Sequence, residues 1–176
     1  MSLDKKIFLV TGSIASGKTA LLEKVYGATR EEYPGCGFLS RSEPREMGSS
    51  QPANSFYIEL LGNGKCLPWA IRRADGGFDF NEQTRNKIEE SISAAFWESE
   101  SKICFLDEIG RLELGGSGFF ETLCSALNSN CPVIIATVKK GVLAEVISAF
   151  DLKSPQVIDL DGTTSTDALH EILAQI

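Results

Sequence analysis

The sequence predicts an α/β fold: a mostly parallel sheet with helices on both faces and a β-hairpin added at one edge. Three observations predict it. Short apolar runs suited to buried strands alternate with longer helical stretches along most of the chain. Gly12-Ser13-Ile14-Ala15-Ser16-Gly17-Lys18-Thr19 matches the spacing G-x-x-x-x-G-K-[ST] of a phosphate-binding P-loop and stands between such a run and such a stretch. Ile103-Cys104-Phe105-Leu106-Asp107-Glu108 is an apolar run that ends in two acids.

Taken in order, Lys6–Thr11 is the first strand, continuously apolar over its centre as a strand buried on both faces must be. The helix after the P-loop carries apolar Leu21, Leu22 and Val25. Gly37–Ser40 reads as a second short strand, and Ser42–Asn54, rich in Ser, Pro, Gly and charge, as a mobile loop. Ser55–Leu61 and Lys65–Arg72 flank the turn Gly62-Asn63-Gly64 as a hairpin. Asp79 followed by Glu82 resembles a capping box and opens a long helix with Ile88, Ile92, Ala95 and Phe96 on one face. Lys102–Leu106 is then strand, Gly118–Leu127 helix, Pro132–Thr137 strand, Val142–Phe150 helix, Gln156–Leu160 strand and Thr164–Gln175 helix.

Composition bounds the function. The 176 residues fit one domain, 1–176, large enough to bury about 70% of the surface of the unfolded chain. No apolar stretch approaches the roughly 20 residues that span a bilayer, and Asp4, Lys5 and Lys6 interrupt any secretory signal. A net charge of −7 and a pI near 4.8 argue against a nucleic-acid partner, because a phosphate backbone demands a basic face. Five cysteines, an odd number with no C-x-x-C pair, give little support to a zinc site or a disulfide framework. Cys104, inside an apolar strand, reads as a buried free thiol, and a reducing cytoplasm is the expected location.

In a strand–loop–helix frame the backbone N–H groups of Gly12, Ser13, Ile14, Ala15, Ser16, Gly17, Lys18, Thr19 and Ala20 turn toward one point, and the helix N-terminus adds partial positive charge. Lys18 is expected to reach the β- and γ-phosphates of a bound nucleoside triphosphate, and the Thr19 hydroxyl to hold Mg²⁺. Asp107, at a strand end, fits the acid that holds the same ion through water, so Thr19 and Asp107 are the expected metal residues. Glu108, one residue on, is placed to orient and polarise a water, which tilts the expectation toward hydrolysis. Thr137, at the end of a neighbouring strand, is either a hydrogen-bond partner of that water or a core threonine.

Further positive charge is expected on the transferring phosphoryl group. Among Arg41, Arg45, Arg72, Arg73 and Arg111, only Arg111 follows the two acids, with pairing to Glu113 as its alternative. Glu113 is expected to order the loop after Glu108. Lys139 and Lys140 stand where a base or ribose is often contacted, although solvated lysines are the commoner outcome. Trp69 is expected to pack on the sheet, and the single histidine, His170, reads as structural.

These residues resemble a known family. Asp107-Glu108-Ile109-Gly110-Arg111-Leu112-Glu113-Leu114 is similar to the D-E-I-G-[KR]-x-E-L segment of the cancer-related nucleoside-triphosphatase (THEP-type) family. Gly37-Phe38 with Glu43-Pro44-Arg45, Gly77-Phe78-Asp79-Phe80, and Ala136-Thr137-Val138-Lys139-Lys140-Gly141 resemble further segments of it in the same order. The resemblance implies a three-layer, RecA-like P-loop fold in which another strand separates the strand of the P-loop from the strand of the acids. It also implies slow Mg²⁺-dependent hydrolysis of ATP, GTP and other nucleoside triphosphates. Where P-loops of the family often carry extra glycine or proline and a second threonine, this chain has Ile14-Ala15 and Ala20.

Two other readings stay open. One is a small-molecule P-loop kinase whose acceptor binds among Arg41, Arg45 and the hairpin, although the sequence offers no obvious acceptor pocket. The other is a nucleotide-binding adaptor resembling the molybdopterin-guanine dinucleotide biosynthesis protein. No Asn-Lys-x-Asp guanine-reading segment is present, so base preference is not legible.

Overall fold

The computed structural model describes residues 5–43, 53–97 and 101–176. Arg45, Pro44 and the greater part of the Ser42–Asn54 segment lie outside the described residues. The elements are β1 (Lys6–Thr11), α1 (Lys18–Thr29), β2 (Gly35–Ser42), β3 (Ser55–Leu60), β4 (Cys66–Arg72) and β5 (Phe78–Phe80). They continue as α2 (Glu82–Trp97), β6 (Ile103–Ile109), the one-turn α3 (Arg111–Leu114), α4 (Phe120–Asn128) and β7 (Val133–Val138). After a 3-10 turn at Lys140–Val142 come α5 (Leu143–Ala149), β8 (Gln156–Asp159) and α6 (Ser165–Leu173).

The strands form one sheet in the order β5-β4-β3-β2-β6-β7-β1-β8. From β2 to β8 every pairing is parallel, and from β2 to β5 every pairing is antiparallel. The expected hairpin edge is therefore present, lengthened by β5. Strand β7 separates β1 from β6, as the resemblance implies.

Alternation along the parallel strands builds a core on each face. Cys104 and Leu106 pack with Ile88, Ile92, Leu123 and Val146 under α2, α4 and α5. Ile103 and Phe105 pack with Leu21, Leu22, Val25, Ala168 and Ile172 under α1 and α6. Three layers result. Cys104 stands opposite Cys36 across β2–β6, and both are buried free thiols.

Two details differ from the sequence reading. The cap of α2 is Asn81, whose Oδ1 accepts from the Thr84 N–H at 3.1 Å. Asp79 is already committed, as the centre of β5 and as the ion-pair partner of Arg73 at 2.9 Å. Strand β2 is also longer than Gly37–Ser40. Its Gly37 sits at φ +117°, where an added Cβ would lie 1.9 Å from the Phe105 carbonyl oxygen. Only glycine lets β2 approach β6 there.

Candidate active site

The motif residues converge at the C-terminal ends of the parallel strands, where ligands bind in open α/β sheets. The P-loop leaves β1 and wraps into the N-terminus of α1. Gly12 takes φ +142° and Gly17 φ +92°, conformations that admit glycine at little cost. Ala15 takes φ +62° without that freedom, which costs roughly 1–2 kcal/mol. Ile14 stands 99% exposed at the loop apex. The Lys18 ammonium donates to the carbonyls of Ser13 at 2.7 Å and Gly12 at 3.1 Å, so it lies within the loop.

Asp107 is fully buried, with 0% exposure, and accepts three hydrogen bonds. The Thr19 hydroxyl donates to its Oδ2 at 2.8 Å and the Ser40 N–H to the same oxygen at 3.0 Å. The Thr137 hydroxyl donates to Oδ1 at 2.6 Å. The P-loop, β2 and the tip of β7 thus meet on one carboxylate.

At Glu108 the ladder between β6 and β7 shifts register, and the residue adopts φ +64°. This left-handed step turns the Glu108 side chain out of the sheet into the cleft, beside buried Asp107. Its N–H donates to the Thr137 hydroxyl at 2.6 Å. The surrounding walls desolvate the carboxyl although one side is open to solvent. That burial and the charge of Asp107 push its pKa above the ordinary glutamate range, against the pull of Lys139 and Lys18.

Of the two places expected for Thr137, the structure shows a threonine buried at the end of β7. Its only hydrogen goes to Asp107, and its oxygen receives the Glu108 amide. It bridges the two acids. Glu113, 2% exposed, accepts from the N–H of Gly110 at 2.7 Å and of Phe119 at 3.0 Å, ordering the loop after Glu108. It is not paired with Arg111, which lines the cleft with Glu108 and Lys139. The other candidate arginines among the described residues are engaged elsewhere: Arg41 with Glu23 and Glu59, Arg73 with Asp75 and Asp79, and Arg72 on the Phe78 ring at 4.8 Å.

Two contributions were not legible in the sequence. The Ser40 amide reaches Asp107 only because β2 pairs with β6, and no side-chain pattern signals a backbone donor. Asp161, after β8, accepts from the Ser13 N–H and hydroxyl, both at 2.9 Å. Lys140 binds the same carboxylate at 2.7 Å and Asp159 at 2.8 Å. Lys140 thus braces the P-loop, while Lys139 faces the cleft. A hollow of about 990 Å³ at the opposite end of the sheet, around Lys5, Cys131 and Gln156, contains none of the motif residues.

A family model described as NTPase matches residues 7–173. The chain is 30% identical to nucleoside-triphosphatase THEP1 of Pyrobaculum aerophilum, over 76% of this chain and 74% of that one. It is also 30% identical to the THEP1 of Pyrobaculum calidifontis, over 80% and 77% of the two chains. The solution structure of a human cancer-related nucleoside triphosphatase superimposes with a TM-score of 0.74, at 21% identity over 96% of each chain. The crystal structure of THEP1 from Aquifex aeolicus gives 0.70, at 22% identity over 95% of this chain and 96% of that one. With the P-loop and the Asp-Glu pair on one three-layer sheet, the chain belongs to the THEP1 nucleoside-triphosphatase family of P-loop proteins.

Proposed function

We propose that this protein hydrolyses nucleoside 5'-triphosphates, ATP and GTP among them, to the diphosphate and phosphate with Mg²⁺. The observation that carries the reading is the hydrogen-bonded chain from Thr19 through Asp107 and Thr137 to the Glu108 amide. It ties the P-loop to the carboxylate best placed to handle a water. Family membership supports the reaction class, since the relatives are named nucleoside-triphosphatases.

Magnesium fits the donor set, because a hydroxyl and a carboxylate 2.8 Å apart are hard oxygen groups. Thr19 would hold the ion directly and Asp107 through water. When bound, it neutralises charge on the β- and γ-phosphate oxygens. The P-loop amides cradle the triphosphate, and the Lys18 ammonium turns from its loop carbonyls to the β- and γ-oxygens. Glu108 orients the attacking water and takes its proton. Arg111 and Lys139 supply positive charge from the far wall of the cleft. Thr137 keeps Asp107 and Glu108 in register. The working unit is one domain, 1–176, placed in the cytoplasm and free of nucleic acid. No helix among the described residues is long and apolar enough to cross a membrane.

The test is phosphate release from ATP, GTP, CTP and UTP beside Glu108→Gln. Release that the substitution abolishes while nucleotide binding persists supports hydrolysis at this site. Tight binding without release supports the adaptor reading instead.

A further inference from the structure

Beyond Glu108, on the side away from the P-loop, the cleft opens into a cavity of about 270 Å³. Its walls are the rings of Phe56, Trp69, Phe78, Phe80 and Phe119, gathered from β3, β4, β5 and the residue before α4. The rings pack edge-on or tilted, with centroids 4.6 Å apart for Trp69–Phe119, 5.1 Å for Trp69–Phe80 and 5.5 Å for Phe56–Phe78. Apolar surface remains open at the mouth, where Phe80 is 37% and Leu112 40% exposed. Glu108, Arg111 and Lys139 form the polar end, and no P-loop residue lines the cavity.

Size, walls and position each limit the occupant. A dry apolar cavity of about 150 Å³ admits benzene, so this volume takes one ring or two fused rings with a short substituent. Walls built of five aromatic rings favour an aromatic guest, which can stack offset on them or meet them edge-on. The polar end lies beside Glu108, where a γ-phosphoryl group held by Lys18 and Thr19 would stand. The α-phosphate and nucleoside run the other way from a P-loop lysine, so the nucleotide's own base is not the guest.

We propose that the cavity binds a small flat aromatic alcohol whose hydroxyl accepts the γ-phosphoryl group in place of water. This inference rests on the reading of Gly12–Thr19 and Asp107 as the triphosphate site. The hydroxyl oxygen forms the new P–O bond. The bond from the γ-phosphorus to its bridging oxygen breaks, and its electron pair leaves on the diphosphate. The hydroxyl proton passes to the Glu108 carboxylate. Nothing is oxidised or reduced. Hydrolysis is then the same step with water seated at the polar end.

The experiment has two readouts, with naphthalenemethanol and benzyl alcohol as probes and cyclohexylmethanol as the non-planar control. Calorimetry on nucleotide-free protein measures ring binding. γ-Labelled ATP with Mg²⁺ then shows whether label enters the aromatic phosphate ester or inorganic phosphate. The expected result is binding of the aromatic alcohols over the control, weakened by about tenfold in Phe80→Ala and in Leu112→Trp, with label in the ester. Phe80 and Leu112 are both partly exposed, so neither variant empties the core. No binding at millimolar probe, binding that neither variant weakens, or label confined to inorganic phosphate overturns the proposal. A chain that binds no ATP contradicts the nucleotide site and the transfer with it. Ring binding without transfer contradicts this inference alone.

Discussion

The Thr19 hydroxyl donates to the Asp107 carboxylate at 2.8 Å, joining the P-loop to the end of β6. With the Ser40 amide and the Thr137 hydroxyl on the same buried group, Asp107 holds together three segments distant in sequence. Asp107→Ala leaves three donors without their acceptor. Each unmet buried donor costs about 1–3 kcal/mol, and the hydroxyls relieve part of that by rotating. The expected loss is about 3 kcal/mol, read from the urea midpoint at unchanged slope. A loss below about 1 kcal/mol, the size of an ordinary substitution, would contradict the network as described.

Thr137 separates a positioning group from a water ligand. Thr137→Val keeps the shape but removes the partner of both Asp107 and the Glu108 amide, so stability should fall by about 1–2 kcal/mol along with activity. Thr137→Ser should recover most of both. A valine variant that loses activity at full stability would restore the water-binding role.

At Ala15 the P-loop carries strain that glycine would relieve. Left-handed geometry costs a non-glycine residue roughly 1–2 kcal/mol, and the added freedom of the unfolded chain takes back about 0.4–1 kcal/mol. Ala15→Gly should therefore stabilise the protein by roughly 0.5–1 kcal/mol, visible as a higher Tm. An unchanged or lower Tm would show that the φ of +62° is not strained in this loop.

How much of this was legible differs by kind of interaction. The P-loop and the Asp107-Glu108 pair could be read because local spacing encodes them. The alternation of strands and helices carried the mostly parallel sheet with both faces covered, while the strand between β1 and β6 followed only from the family resemblance. The Asn81 cap was missed because Asp79, a better match to the capping pattern, had been claimed by β5 and Arg73. The aromatic cavity was invisible for a different reason. Its walls come from β3, β4, β5 and the start of α4, and only the antiparallel extension of the sheet brings them together.

Asp161 gives the P-loop a pH dependence. The Lys140 ammonium, and then the Ser13 amide and hydroxyl, lower its pKa from 3.8 to about 2. A depressed carboxylate contributes stability that is complete above its unfolded pKa and lost as pH falls through its folded one. The Tm difference between wild type and Asp161→Asn should be widest above pH 4 and close as pH falls toward 2. A difference independent of pH across that window would contradict the ionic brace.

The most direct test of the central claim is Mg²⁺-dependent phosphate release from ATP by wild type and Glu108→Gln, with nucleotide binding measured on both. Glu108 points into the cleft from a backbone held by Thr137, so the substitution should leave binding and Tm near wild type. Turnover should fall by about a hundredfold or more, the usual worth of a positioned general base. Equal turnover in the two proteins would contradict the assignment of Glu108 as the residue that activates water.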